Sequence, residues 1–377
     1  MQLNNMIKKI LKNILALFTG LLLALVVAEI FLRIYNPFPA TVKGDKILLR
    51  ANTKIVYSKP DTDGTMIEHT VTTNKLGFRG ENLPENPNEY FKIITIGGST
   101  TQCLYSSDST TWTAYLEKNL KPYIKNLWMN NAGLAGHTTY GHKILLEDYV
   151  IKLKPDVAVF LFGVNDIGVV KDSAVFSLYA QNNENRFLKC FKTTLYKSEA
   201  VGVAVNLYRY FKANKQSLKY DYSFDIKTAP HITLNSAESD KIYTENIACL
   251  PDYISRVNSI ADMCLANKIT PVFVTQPSLY ADTIDTSTGV NLATVKVGNR
   301  SGLLCYNLLE AYNNAMRKVA GEKKIFLVEL AQHLPHDSKY YYDFIHYNDE
   351  GNKKIAEIMS AQLKEYLKIN RITSSSD

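Results

Sequence analysis

From residue 91 onward, short apolar runs alternate with longer amphipathic segments, and this rhythm limits what the chain can fold into. Short apolar runs bounded by Gly, Pro or charge are typical of strands buried on both faces of a parallel sheet. The predicted strands are residues 92–96, 127–130, 157–162, 271–275 and 325–330. The predicted helices are residues 110–120, 140–153, 253–267, 304–319 and 350–369. The pattern therefore predicts an α/β domain with a mainly parallel sheet.

An apolar segment at residues 14–35 precedes this domain. Residues 14–27 form an uncharged run, which continues through Ala28, and apolar residues extend past Glu29 and Arg33. A membrane-spanning helix needs roughly 20 residues, so the segment is long enough if those two charges snorkel to the far interface. The sequence therefore predicts a transmembrane anchor at residues 13–35. A cleaved signal peptide, with small residues at Val26 and Ala28, and a buried core helix are the alternatives.

The charges in front of the anchor predict its orientation. Lys8, Lys9 and Lys12 precede the apolar run, and the positive-inside tendency places such a segment in the cytoplasm. Residues 1–12 are then a cytoplasmic tail, and the rest of the chain is membrane-anchored and extracytoplasmic, in the periplasm or at the cell surface.

Two further segments complete the predicted organisation. Residues 36–90 are largely polar and begin with two helix-stopping prolines, which indicates a juxtamembrane linker or a small cap. The α/β domain is expected at residues 91–370. Residues 171–248 are polar and Tyr-rich and break the rhythm, so they are expected to be an insertion near the crevice where ligands bind in open α/β sheets.

Composition excludes some functions. The net charge of +7 comes from 43 Lys and Arg against 36 Asp and Glu without a long basic run, so a nucleic-acid partner is not expected. The five cysteines form no CxxC motif or Cys/His spacing typical of zinc, so no metal site is expected; free thiols and disulfides both remain open. The 24 tyrosines and 15 phenylalanines suit a filled core and would also suit a surface that stacks against sugars.

Ser99 is the first candidate functional residue. It lies in "IITIGGSTTQC", where a predicted strand runs into Gly97 and Gly98. A serine at the carboxyl end of a parallel strand is exposed in the ligand-binding crevice near free backbone N–H groups, which suits a nucleophile. An ordinary glycine turn is the alternative. The segment lacks the GK[ST] of a P-loop and the GxGxxG of a dinucleotide site.

Two more motifs follow the second and third predicted strands. In "NNAGLAGHTT", the glycines Gly133 and Gly136 allow tight turning and the close approach of a backbone N–H to a ligand. In "VFLFGVNDIG", Asn165 can donate a hydrogen bond to an oxyanion without losing a proton. The alternative for Asn165 and Asp166 is an Asx turn that caps the next segment.

The fourth motif is "YYYDFIHYNDEGNKK", just before the last predicted helix. Asp343 and His346 are three residues apart, so one turn can bring the carboxylate beside the imidazole and hold its tautomer. The other ring nitrogen is then available to accept a serine proton. A surface histidine is the alternative.

Taken together, the order and positions of these motifs resemble the SGNH (GDSL-like) hydrolase family. The resemblance implies that Ser99 is the nucleophile, that Asp343 and His346 complete the triad, and that Gly136 and Asn165 are oxyanion donors beside the Ser99 amide. Gly133 is the alternative to Gly136. The resemblance also implies a three-layer, flavodoxin-like fold with five parallel strands, and no cofactor.

The chain departs from the family pattern at Gly98, where the motif that names the family has Asp before the serine. That side chain has no necessary part in the proton transfers. The upstream "NKLGFRGENLP" is similar to membrane-anchored SGNH proteins of bacterial surface-polysaccharide pathways.

The resemblance implies a serine esterase that acts on acylated, chiefly O-acetylated, extracytoplasmic carbohydrate or on a small ester. An O-acyltransferase with the same triad is the alternative, and it would need a partner protein to deliver the acyl donor. A non-catalytic glycan-binding protein is the third hypothesis. His137, Gln276 and Tyr280 are expected to line the substrate cleft.

Overall fold

The computed structural model of the protein describes residues 2–35, 42–43, 46–60, 66–169, 198–204, 207 and 225–374. The strands are β1 Val42–Lys43, β2 Lys46–Ile47, β3 Lys54–Pro60, β4 Met66–Thr72, β5 Phe91–Gly97, β6 Leu127–Asn131, β7 Val157–Leu161, β8 Thr270–Val274, β9 Lys296–Val297, β10 Arg300–Ser301 and β11 Phe326–Val328. The helices are α1 Gln2–Ile34, α2 Ser99–Gln102, α3 Trp112–Leu120, α4 Thr139–Leu145, α5 Ile151–Leu153, α6 Ser236–Ile247, α7 Leu250–Ala266, α8 Gly302–Lys323, α9 Leu330–His333 and α10 Asp349–Ser374.

The chain divides into two compact units. Residues 1–48 and 178–219 form the first unit, and residues 49–177 and 220–377 form the second.

Helix α1 dominates the first unit. Its segment Lys8–Ile34 is 27 residues long, exposed along its length and apolar enough to cross a membrane. At about 1.5 Å per residue it exceeds the roughly 30 Å of a bilayer's hydrocarbon core. Glu29 has local partners, since its carboxylate accepts hydrogen bonds from Arg33 Nε at 2.8 Å and from the Ser198 hydroxyl at 2.7 Å.

The second unit contains a five-stranded sheet in the order β11-β8-β7-β5-β6, and every neighbouring pair is parallel. Numbered along the domain, this is the 2-1-3-4-5 order of the flavodoxin-like fold. The five strands predicted from the sequence are confirmed, with ends that differ by one or two residues. The fold prediction is therefore correct.

Helices cover both faces of the sheet, which gives three layers. On one face, Trp112 of α3 and Met359 of α10 belong to a buried apolar cluster that includes Val159 of β7. On the other face, the ring of Phe162, just after β7, lies 6.2 Å from that of Tyr253 on α7, which in turn lies 4.9 Å from Tyr312 on α8. Burial on both faces explains why the central strand β7 is wholly apolar, whereas β6, at the edge of the sheet, ends in Asn130 and Asn131.

A β-hairpin made of β3 and β4 lies before the sheet in sequence. The two strands pair antiparallel from Lys54 opposite Thr72 to Pro60 opposite Met66. The Thr72 N–H donates to Asp108 Oδ2 at 3.0 Å, and the Thr72 hydroxyl donates to the same atom at 2.6 Å. Part of the segment expected to be a linker or cap is thus regular structure attached to the loop after α2. The domain boundaries themselves stay a prediction.

The predicted insertion at residues 171–248 lies partly outside the described residues, as does Cys190. Its last part forms α6, which the sequence analysis missed. A capping box starts this helix: the Glu238 N–H donates to Asn235 Oδ1 at 2.9 Å, and the Asn235 N–H donates back to Glu238 Oε2 at 3.4 Å. The spacing of Asn and Glu was a readable helix-start signal.

Candidate active site

Ser99 lies at the start of α2, directly after the strand β5 ends at Gly97. The first amides of a helix have no acceptor within it, so the Ser99 N–H points out of the helix end. A Cβ at Gly98 would lie 2.5 Å from Asn165 Nδ2, so a larger residue here would push the Asn165 side chain aside. The strand-to-helix turn therefore presents a hydroxyl and a backbone donor close to Asn165.

A chain of hydrogen bonds joins Ser99 to the loop before α10. His346 Nε2 lies 2.8 Å from Ser99 Oγ, and His346 Nδ1 lies 2.6 Å from Asp343 Oδ2. The other Asp343 oxygen accepts the backbone N–H groups of Ile345 and His346, each at 2.8 Å. The carboxylate therefore closes its own turn and orients the imidazole. The arrangement can move a proton from the serine hydroxyl to Nε2 while Asp343 stabilises the imidazolium.

Asn165 lies in a short 3₁₀ turn, Val164–Asp166, just after β7. Its Nδ2 donates one hydrogen bond to the His137 carbonyl at 3.0 Å. Strands β5 and β7 are neighbours from which the chain continues to opposite sides of the sheet, and ligands bind at such a switch point. Ser99 and Asn165 meet there for this reason.

The structure separates the two candidate glycines. The Gly133 N–H donates to Asn131 Oδ1 at 2.8 Å, so that amide is already engaged. Gly136 is exposed with φ +72°, a backbone conformation that favours glycine. Within the described part of the chain, no acceptor pairs with the Gly136 amide. This geometry favours Gly136 as the second-motif donor.

A buried ion pair joins the loop of Asn165 to the loop that carries Gly136. Asp166 Oδ1 accepts the Thr139 hydroxyl at 2.6 Å and the Thr139 N–H at 3.1 Å, at the start of α4. Arg256 of α7 donates to the same Asp166 oxygen at 3.2 Å and, through Nε, to the Thr139 hydroxyl at 2.6 Å. Burial raises the pKa of Asp166, while Arg256 and Thr139 favour its charged form. The network fixes Asn165 relative to the loop that carries Gly136.

The remaining predicted cleft residues are enclosed. The Gln276 side chain accepts a hydrogen bond from the Thr100 hydroxyl at 3.3 Å and donates one to the Tyr347 hydroxyl at 2.8 Å. Gln276 thus joins the residue after Ser99 to the residue after His346. Its direct contact with substrate stays a prediction.

His137 and Tyr280 are also buried. Burial lowers the pKa of His137 to about 4, which keeps its ring neutral, and its backbone carbonyl is the acceptor for Asn165. The Tyr280 ring stacks on Phe344 with centroids 5.2 Å apart, and burial raises its pKa well above 10. Both residues support loops of the site, and a substrate contact for either stays a prediction.

Arg256, the partner of Asp166, was not predicted from the sequence. Asp166 itself was visible in the third motif, where an Asx turn was the alternative. Arg256 lies on an ordinary amphipathic helix with no motif around it, so no signal in the sequence pointed to this pair. Across the described ranges, no group of three or more His, Cys, Asp or Glu could hold a metal ion. The described cysteines, Cys103, Cys249, Cys264 and Cys305, are buried free thiols.

The part of the chain that holds this site matches a known protein family. The model of the GDSL-like lipase/acylhydrolase family matches residues 95–354, which include every residue of the Ser99–His346–Asp343 chain as well as Gly136 and Asn165. No curated protein matches the chain.

Several solved structures are similar to the chain. They include the acetyl xylan esterase AlAXEase, at 16% identity over 72% of this chain and 98% of that chain, with a TM-score of 0.41. TesA has 14% identity over 73% and 98% of the two chains and the same TM-score. Axe2, an acetylxylan esterase from Geobacillus stearothermophilus, has 15% identity over 72% and 93%, again with a TM-score of 0.41.

Proposed function

The chain belongs to the GDSL-like lipase/acylhydrolase family, and on that premise we propose that it is a serine esterase that removes acyl groups, chiefly acetyl, from an extracytoplasmic carbohydrate. The observation that carries the proposal is the continuous hydrogen-bond chain from Ser99 through His346 to Asp343. A hydroxyl, a base and an orienting carboxylate in this sequence are what nucleophilic acyl transfer requires.

The first half of the reaction forms an acyl-enzyme. His346 Nε2 takes the Ser99 proton as Ser99 Oγ attacks the ester carbonyl, and Asp343 stabilises the resulting imidazolium. The N–H groups of Ser99 and Gly136 and the Asn165 amide donate to the tetrahedral oxyanion. The intermediate collapses as the C–O bond to the sugar breaks, and His346 gives its proton to the departing sugar oxygen.

The second half returns the enzyme to its starting state. Water gives a proton to His346 Nε2 while its oxygen attacks the acyl carbon, and the same donors stabilise the second oxyanion. The bond to Ser99 Oγ then breaks, His346 returns its proton to Ser99, and the free acid leaves. The reaction needs a nucleophile, a base and oxyanion donors, which this chain supplies from its own residues.

Helix α1 supports the proposed location. Its length and apolar surface suit a single membrane span, and Lys8, Lys9 and Lys12 at its start favour a cytoplasmic N-terminus. We therefore propose a tail at residues 1–12, an anchor at 13–35 and a catalytic domain on the extracytoplasmic side. An O-acylated glycan of the cell surface is then within reach of Ser99.

The test uses the full chain in detergent micelles with 4-nitrophenyl acetate. Wild-type protein should hydrolyse the ester and react with a fluorophosphonate probe at Ser99. Ser99→Ala should lose both properties, while Ser236→Ala, at an exposed serine of α6, should keep both. If Ser99→Ala keeps its turnover and the probe marks no serine, the esterase proposal is wrong.

The same acyl-enzyme would serve an O-acyltransferase if a sugar hydroxyl replaced water. Products formed in the presence of a glycan acceptor separate the two reactions: free acetate indicates the esterase, and an acetylated acceptor indicates the transferase, which would need a partner protein to deliver its donor. Glycan binding without any turnover would indicate the non-catalytic hypothesis.

A further inference from the structure

Three tyrosines form a row that begins at the triad histidine. The Tyr342 ring stacks on the His346 imidazole, with centroids 5.4 Å apart and an angle of 5° between the planes. Tyr105 meets Tyr342 edge to face at 6.1 Å, and Tyr57 meets Tyr105 edge to face at 5.2 Å. We call these three residues the tyrosine row. It connects the active site to the β3–β4 hairpin.

The tyrosine row is partly open to solvent. Its three rings are half-buried, whereas the neighbouring Tyr341 and Tyr347 are buried in the core. A half-buried ring presents an apolar face and a polar hydroxyl together, which is the combination that a sugar ring recognises by stacking and hydrogen bonding.

The loop that carries Tyr105 is held rigidly. The Arg79 guanidinium donates to three of its carbonyls, those of Gln102 at 2.6 Å, Cys103 at 2.7 Å and Ser106 at 2.9 Å. Arg79 also forms an ion pair with Asp108 at 2.7 Å. Since Asp108 accepts hydrogen bonds from Thr72 of β4, the hairpin and this loop are fixed to each other before any ligand arrives.

The chemistry of the triad says which half of an ester lies beside the row. The acyl oxygen must point to the donors at Ser99, Gly136 and Asn165, and the leaving oxygen must lie next to the imidazole that protonates it. Tyr342 covers the face of that imidazole. The row therefore begins on the leaving-group side, and in an acylated glycan the leaving group is the sugar.

We propose that Tyr57, Tyr105 and Tyr342 form a subsite for the sugar rings next to the acylated one in an oligosaccharide substrate. This inference rests on the esterase function proposed above. It adds a contribution from outside the region that the family model matches, because Tyr57 precedes residue 95. The hairpin then selects for glycans longer than one sugar.

The test compares an O-acetylated monosaccharide with O-acetylated cellotetraose, using the full chain. Wild-type protein should have a higher kcat/KM for the tetrasaccharide. Tyr57→Ala and Tyr105→Ala should each lower that preference about 3- to 10-fold, mainly through KM, and Tyr57→Phe should restore most of it because the ring remains. Tyr123→Ala, at a tyrosine that is 54% exposed on the segment after α3, is the matched control and should keep the preference.

Three outcomes would overturn the subsite. The wild-type enzyme could show no preference for the tetrasaccharide, or the alanine variants could retain that preference. The third is a selective loss of 4-nitrophenyl octanoate hydrolysis relative to the acetate in Tyr57→Ala, which would show that the row holds an acyl chain. In each case Ser99-dependent hydrolysis of 4-nitrophenyl acetate would stand, so the subsite can fail while the esterase function survives.

Discussion

Arg256 Nη2 lies 3.2 Å from Asp166 Oδ1, and both side chains are buried where α7 meets the turn that follows β7. Asp166 directly follows Asn165, and it also holds the first residue of α4, Thr139. The pair therefore acts on both loops that carry the proposed oxyanion donors Asn165 and Gly136.

Asp166→Asn should destabilise the protein and lower its turnover. The substitution leaves a buried guanidinium without its counter-charge, which typically costs about 3 to 5 kcal/mol. The free energy of unfolding in urea at constant detergent, together with kcat for 4-nitrophenyl acetate, measures the effect. Lys318→Ala, which breaks an exposed pair with Glu322, should change stability by less than about 1 kcal/mol. A fully stable and active Asp166→Asn protein would show that the Asp166–Arg256 pair does not position the loops that carry Asn165 and Gly136.

Asn165→Ala should reduce kcat about 100- to 1,000-fold, because one of the proposed oxyanion donors is lost. The protein should stay folded, since the side chain is only half-buried and gives up one hydrogen bond to the His137 carbonyl. Steady-state kinetics and the unfolding midpoint test both parts. Asn258→Ala, which removes a local bond to the Ile254 carbonyl on α7, should leave kcat unchanged. Full activity in Asn165→Ala would show that Asn165 is not an oxyanion donor.

Gly98→Ala should also lower kcat, by up to about 100-fold, because the new methyl group would displace the Asn165 amide by contact at 2.5 Å. If the two positions act through the same donor, Gly98→Ala in an Asn165→Ala background should cause little further loss. Gly321→Ala on α8, where a Cβ meets nothing within 4 Å, is the control. Additive losses in the double variant would show that Gly98 acts independently of Asn165.

Stability should fall as the pH drops from about 6.5 towards 4. Burial lowers the pKa of His142 to about 3 and that of His137 to about 4, so the unfolded chain binds protons in this range that the folded chain does not. At about 1.4 kcal/mol per pKa unit, the two histidines together account for a loss of several kcal/mol in the free energy of unfolding. His142→Phe should flatten the dependence of the unfolding free energy on pH, and exposed His231→Phe should not. If the unfolding free energy depended equally on pH in both variants, the buried histidines would not be the cause of the acid destabilisation.

The full chain should remain in the membrane fraction after alkaline carbonate washing, because α1 exposes apolar side chains along a span of 27 residues. Protease added from outside intact spheroplasts should digest the catalytic domain and spare residues 1–12. An N-terminus that begins after Ala28 would instead show that the segment is a cleaved signal peptide.

The sequence alone was sufficient to predict the five strands of the sheet and the contact between Asp343 and His346. Residues 157–161 are apolar on both faces of the strand. A strand that is buried on both faces needs this composition, so it can be recognised from the sequence. Asp343 and His346 are three residues apart, so their hydrogen bond depends on one turn and was readable from spacing. The family resemblance added a role for each motif.

Tertiary structure alone decided which distant residues meet. The order of the strands brings the end of β5 beside the end of β7, and so Gly98 beside Asn165. Helix packing places Arg256 against Asp166, 90 residues earlier in the chain. The hairpin brings Tyr57 to a loop that reaches Tyr342. None of these contacts has a local sequence signal, because each depends on how whole strands and helices pack and not on the spacing of residues along one of them.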